Sequence, residues 1–257
     1  MKLLFLLLSI CVFAFAWEED GRICELFTKE KVEGTFVLYD VTTERFVGCD
    51  EERARTRFTP ASTFKIANSL LGLWSGAVTD VDAVLPYTGD ATPFIESWKR
   101  DMGLREAIAM SNVPIYQELA RRIGLERMQE GITKLSYGNQ ELGTKVDRFW
   151  LDGPLKISAQ EQVLFLAKLA DASLPFPEQI LQSVREILLL EEKNGIKLYG
   201  KTGWQNAPHE GVGWFVGWVE SQGKVYAFAL NLDMHHASDA PKRVSIAKEA
   251  LRILGLL

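Results

Sequence analysis

The sequence predicts an α+β protein: a mainly antiparallel sheet drawn from both chain ends and flanked by helices, with a helical subdomain inserted. Three observations predict it. Residues 34–49 and 196–232 have strand composition, and the stretch between them, about 62–182, is patterned mainly as helix.

In chain order, 17–33 is a polar lead. Residues 34–42 are rich in β-branched and aromatic side chains, 43–45 turn, and 46–49 form a second strand, so the two make a hairpin. The charged run 50–57 connects to a helix that opens at Ser62 and reaches about residue 73. Its apolar residues Ile66, Ala67, Leu70, Leu71 and Trp74 lie all round, which marks a buried helix. Loop residues fill 79–89, and 94–100 and 104–110 read as short helical segments. Pro114 interrupts, 115–123 resumes as helix, and 125–135 is amphipathic. Ser158 followed by Glu161 forms a capping box that starts another long helix. Strands over 196–203, 211–219 and 225–232 follow, and an amphipathic helix over 242–254 closes the chain.

With 257 residues, 47% of them hydrophobic, the chain can build a full core. The net charge of −5 argues against a nucleic-acid partner or an anionic membrane surface. Residues 1–16 read as a secretory signal: one lysine, an apolar run over 3–13, and Ala14 and Ala16 as a small-x-small cleavage site. That run is too short for a membrane span. A periplasmic or secreted protein is therefore expected after cleavage near Ala16, with 17–257 as one domain and no stable membrane anchor. Cys11 follows the bulky Ile10, which disfavours lipidation. Export permits a disulfide between Cys24 and Cys49, and two buried thiols remain an equal alternative. No cysteine or histidine cluster has metal-ligand spacing, and the adjacent His235 and His236 read as loop surface. No glycine-rich phosphate loop opens a helix, so neither metal nor nucleotide is expected.

Candidate chemistry begins with Ser62 and Lys65. On a helix these lie on one face a turn apart, and the serine occupies the first turn, where free N–H groups favour developing negative charge. A lysine entering an apolar interior escapes the cost of burial by losing its proton, which gives the serine a neighbouring base. The spacing alone is weak, because Ser221/Lys224 and Ser245/Lys248 share it. Downstream come Ser111-Asn112-Val113 at a helix break, the turn Tyr137-Gly138-Asn139, the loop aromatics Phe149-Trp150, and Lys201-Thr202-Gly203 within a strand followed by Trp204. Each has a structural reading by itself. Their order carries the signal.

Ser-x-x-Lys, Ser-x-Val, Tyr-Gly-Asn, Trp and Lys-Thr-Gly in this order resemble the penicillin-binding-protein-like serine enzymes. The Ser-Thr-Phe-Lys form, Ser111-Asn112-Val113 and Phe149-Trp150-Leu151 resemble class D, the oxacillinase-type β-lactamases. The resemblance implies an enzyme that hydrolyses the β-lactam ring of penicillin-type antibiotics, with these small molecules as partners and a monomer or homodimer as the working form. It implies Ser62 as nucleophile and acyl-ester. Lys65 is implied to be carboxylated by CO2 to a carbamate that serves as general base, with no other cofactor. Trp150 would donate to that carbamate, Val113 would wall its pocket, and Ser111 and Lys201 would relay a proton to the leaving nitrogen. Backbone N–H groups of Ser62 and Trp204 would form the oxyanion hole, Thr202 and Gly203 would line the substrate strand, and Arg243 would bind the substrate carboxylate. The competing implication is a non-hydrolysing β-lactam sensor, since such receptor domains resemble class D closely. A D,D-peptidase is disfavoured by the dry pocket that Val113 and Trp150 suit.

Overall fold

The computed structural model describes residues 16–92, 94–205 and 211–257. Residues 1–15, 93 and 206–210 lie outside the described residues, and with them the signal expected over 1–16 apart from Ala16.

The chain opens with β1 (Trp17–Glu19), α1 (Gly21–Glu30), β2 (Gly34–Asp40), β3 (Arg45–Cys49) and α2 (Glu51–Arg55). The helical stretch comprises α3 (Lys65–Trp74), α4 (Leu104–Ala109), α5 (Val113–Ile123), α6 (Leu125–Leu135), α7 (Ala159–Ala170) and α8 (Glu178–Leu188). The return to strands is β4 (Leu189–Lys193), β5 (Ile196–Gln205), β6 (Gly211–Ser221) and β7 (Lys224–Met234), followed by α9 (Lys242–Ile253). The seven strands form one sheet in the order β1-β3-β2-β7-β6-β5-β4. Every pairing is antiparallel except β1 with β3. The N-terminal hairpin and the C-terminal strands thus join at β2 and β7, as the sequence predicts.

Alternation along the strands feeds two cores. Val37, Tyr39, Trp214, Val216, Trp218, Ala227 and Ala229 face the large helical side. Phe36, Leu38, Phe215, Phe228 and Leu230 face α1 and α9, which meet them with Ile23, Phe27, Ala247 and Leu251. Ser158 caps α7 in the expected capping box with Glu161. Cys24 and Cys49 are bonded as a disulfide that ties α1 to β3. Among the described residues no helix is long and apolar enough to cross a membrane.

Several elements differ from expectation for local reasons. The segment 94–100 holds only a 3-10 turn at Glu96–Trp98. Pro114 does not interrupt a helix; it sits in the first turn of α5, where its missing N–H costs nothing. The polar lead contains α1, whose few apolar residues still bury Ile23 and Phe27. Strand β4 is exposed at all five positions, so it carries no hydrophobic alternation for a sequence pattern to show.

Candidate active site

The nucleophile turn is a 3-10 turn over Ala61–Phe64 that runs directly into α3. Pro60 leads in, and Ala61 takes φ +48°, a left-handed conformation costing of order 1 kcal/mol that this turn must hold. Beneath it, Thr63 Oγ1 donates to Pro60 O at 2.7 Å and accepts from Gln162 Nε2 of α7 at 2.9 Å. On one side it abuts β5. Strand β4 pairs with β5 only as far as Tyr199, so the strand edge beyond faces this turn instead of another strand. The approach needs Gly203, because a Cβ there would lie 3.0 Å from Thr63 Cγ2 and 3.1 Å from Pro60 O.

Lys65 points back from the first turn of α3, and its Nζ donates to Ser62 Oγ at 2.8 Å. The lysine is fully buried, with the Tyr116 ring centroid 5.4 Å from Nζ. Burial holds its pKa well below the ordinary lysine value, and the charge of Lys201 adds to the effect. On β5, Lys201 is itself nearly enclosed and donates to Thr202 O at 3.0 Å. Burial first and Arg243 second bring its pKa down to about 7.

Arg243, in the first turn of α9, donates from Nη1 to Gly203 O at 2.5 Å and from Nε to Ala240 O at 2.7 Å. It stands over Trp204, with Cζ 6.0 Å from the ring centroid. Room for its side chain comes from Gly213 on β6, where a Cβ would sit 2.6 Å from Arg243 Cδ.

On the helical side, Asn112 accepts from Ile115 N as the N-cap of α5 and donates to Trp98 O. This pins the turn in which Ser111 takes φ +58°. The turn at Tyr137-Gly138-Asn139 works at a distance from the reacting groups. Asn139 donates to Pro154 O at 2.8 Å and accepts from Lys156 N at 2.9 Å, closing the base of the loop that carries Phe149 and Trp150. Gly138 has φ +54°, and a Cβ there would lie 2.1 Å from Lys156 O. Trp150 is fully buried, stacks on Phe64 at 5.4 Å, and its Nε1 has no hydrogen-bond partner among the described residues.

A cleft of about 810 Å³ opens over Ser62 and brings Ser111, Val113, Thr202, Gly203, Trp204 and Arg243 to its walls. Lys65, Lys201 and Trp150 lie behind those walls, out of solvent. The site is therefore a serine hydroxyl in a cleft backed by two buried lysines whose pKa values are lowered.

A family model for the penicillin binding protein transpeptidase domain matches residues 34–252. The chain is 38% identical to β-lactamase OXA-5 of Pseudomonas aeruginosa, covering 94% of this chain and 89% of that protein. It is 39% identical to β-lactamase OXA-48 of Klebsiella pneumoniae, covering 92% and 89%. Its structure superposes on FUS-1 (OXA-85), a class D β-lactamase from Fusobacterium nucleatum subsp. polymorphum, with TM-score 0.90 and 44% identity, covering 93% of this chain and all of that one. The chain belongs to the class D β-lactamases.

Part of this β-lactamase's cleft is not foreseen by the motifs. Tyr87, Thr88, Asp90, Phe94, Gln117 and Arg148 also line it. The one sequence signal for this stretch is Phe94 and Ile95 side by side, next to the buried Trp98 whose ring lies 6.5 Å from that of Phe94. Phe94 is 78% exposed at the lip.

Proposed function

We propose that this class D β-lactamase opens the ring of penicillin-type antibiotics through an acyl-ester on Ser62, with Lys65 acting as base in its carboxylated form. The observation that carries the reading is the 2.8 Å contact between Ser62 Oγ and an amine that is wholly buried. The residues fit a carbamate at Lys65 Nζ. Only a neutral amine adds to CO2, and burial favours that state. Trp150 Nε1 is a buried donor in want of an acceptor, which normally costs about 1–3 kcal/mol, and it stacks on the residue preceding Lys65. When formed, the carbamate supplies a carboxylate-like base beside Ser62.

The chain's own groups account for the remaining chemistry. Ser62 sits in the half-open floor of the cleft, where its oxygen can reach a bound carbonyl. The N–H groups of Ser62 and Trp204 supply the oxyanion donors, each worth about 2.7–4 kcal/mol where such donors have been removed. Ser111 presents its hydroxyl to the cleft and passes a proton to the lactam nitrogen as the C–N bond breaks. Lys201, with a pKa of about 7, can hold or release a proton at neutral pH and so restores that hydroxyl. Arg243 presents its guanidinium to the substrate carboxylate from the cleft wall, Lys201 adds its charge from behind that wall when protonated, and Thr202 and Gly203 line the strand between them. Val113 keeps one wall apolar. Water then attacks the ester, and the base position at Lys65 takes its proton.

Export is part of the reading. The leader-like composition of residues 1–16 and the Cys24–Cys49 disulfide both suit an oxidising compartment, periplasmic or extracellular.

The test is turnover of a chromogenic cephalosporin, with and without bicarbonate, after acid treatment and gas exchange to strip CO2. Many turnovers that need bicarbonate for recovery support the reading. A stoichiometric burst with a stable adduct would overturn hydrolysis, and full activity without CO2 would overturn the carbamate.

A further inference from the structure

Two irregular segments wall the cleft on its helical side. One contributes Tyr87, Thr88 and Asp90; the other contributes Arg148 and Leu151 and carries Trp150 between them. Neither runs in a strand ladder where it meets the cleft: the first is tied back by the Leu85–Met102 bridge and by Tyr87 N donating to Asp101 Oδ1 at 2.8 Å, the second at its base by Asn139, and side-chain bonds from α5 add to these. Helix α5 runs behind both, and its Arg121 reaches each. Arg121 Nη2 donates to Thr88 Oγ1 at 2.5 Å, and Nη1 donates to Asp147 Oδ2 at 2.8 Å. The fork is held in the required orientation by Glu118, one turn back. Its Oε2 accepts from Arg121 Nη2 at 3.1 Å and from Nε at 3.3 Å, while Oε1 accepts from Arg122 at 3.0 Å. Gln117, on the same helix, adds a bond from Nε2 to Asp147 O at 3.1 Å.

We propose that Arg121 is a positioning residue that clamps both cleft walls to α5, setting the width of the substrate side wall through Thr88 and the seat of Trp150 through Asp147. Arg121 touches no reacting group and does not line the cleft, so it acts only through these two segments. The geometry needs an arginine. A planar guanidinium offers donors in fixed, divergent directions, whereas an ammonium is a point charge on a flexible stem that can satisfy one arm at a time. Glu118 and Asp147 are 16% and 28% exposed and Arg121 itself 39%, so the cluster lies at the surface and its hold comes from several shared bonds more than from burial. The two arms end in different places: one at Thr88, in the cleft wall itself, the other at Asp147, three residues before Trp150. Removing each arm should therefore leave a different kinetic signature, which a merely stabilising ion pair would not.

The inference rests on the reading of the site as a β-lactam cleft with a carbamate at Lys65, and its test separates the two. Full-length Arg121→Ala, Arg121→Lys, Thr88→Val and Asp147→Asn are compared with wild type. The measurements are kcat and KM for a bulky-side-chain and a small-side-chain penicillin, the bicarbonate concentration giving half activity, and hydrogen exchange of peptides over 84–92 and 141–152. For Arg121→Ala, KM for the bulky penicillin should rise about 5-fold and the bicarbonate requirement should rise about 5-fold. Both peptides should lose protection. Thr88→Val should reproduce the KM effect and the first peptide's change alone. Asp147→Asn should reproduce the bicarbonate effect and the second peptide's change alone, and Arg121→Lys should recover one arm. The proposal is overturned if Arg121→Ala lowers only the melting temperature, or if the two single-arm variants give the same profile. If wild type needs no bicarbonate, the carbamate reading fails by itself, and the exchange pattern still decides the clamp.

Discussion

The opening helix and the closing helix of this enzyme carry the same serine-x-x-lysine spacing with opposite outcomes. At Ser62/Lys65 the amine contacts the hydroxyl at 2.8 Å, wholly buried, with a lowered pKa. At Ser245/Lys248, on α9, the hydroxyl is exposed and bonds Lys242 O, while the amine turns to Glu191 on β4. Helical spacing brings both pairs onto one face, so spacing is not what differs. What differs is the surroundings. Lys248 reaches the surface and pairs with the carboxylate of Glu191, whereas Lys65 has Tyr116, Phe64 with its stacked Trp150, and the charge of Lys201 around it. Taking a lysine's solvent away is what lowers its pKa beside the serine, and that is a property of the packed protein.

The largest test of this contrast is Lys65→Ala, which should lower kcat by about 10²–10⁴-fold, the range for loss of a general base. The variant should still fold, as thermal melting would show; near wild-type turnover would place the base elsewhere. Next comes Trp150→Phe, which keeps most of the apolar volume but removes the buried donor. Half activity should then require about 10-fold more bicarbonate, the scale of one hydrogen bond to a charged group. An unchanged bicarbonate titration would mean that the indole serves packing alone.

The third effect concerns stability and the other buried lysine. Lys201 has a pKa of about 7 in the folded enzyme against an ordinary 10.5. Between those values the unfolded chain binds a proton that the folded chain does not, so stability climbs as pH rises from about 7 towards 10.5. Lys201→Met removes the cost of that burial. It should raise the melting temperature at pH 7 by about 3 °C or more and flatten the climb above it. A lower melting temperature, or an unaltered slope, would show that Lys201 is not held towards its neutral form. The smallest effect closes the comparison: Lys248→Ala should change stability by no more than about 0.5 kcal/mol and leave turnover as it was. A clear loss of turnover there would break the distinction drawn between the two helices.

The sheet was legible because its strands are buried on both faces, so Phe36 and Val37, or Trp214 and Phe215, fall in continuous runs of β-branched and aromatic residues that the sequence itself displays. β4 was not, since an exposed edge strand has no such constraint. The motif residues could be read as a set, yet Asn139 proved to act at the base of the Trp150 loop and not in the cleft. Tyr87, Thr88 and Phe94 gave little warning, because a loop that walls a cleft needs only the right backbone path and some surface to present.

By itself, then, the sequence determined the N-terminal hairpin, the helical middle, the three long C-terminal strands and the closing helix, with the capping box at Ser158, the serine–lysine spacing and the ordered motifs that mark the family. Those follow from local rules, which act over one or two turns of chain. Tertiary structure decided which of three like-spaced lysines is wholly buried against its serine, with its pKa lowered, that Arg243 reaches across to Gly203, and that one guanidinium joins two distant loops. Desolvation and charge pairing depend on everything within a few ångströms, whatever its distance along the chain, and only folding sets that company.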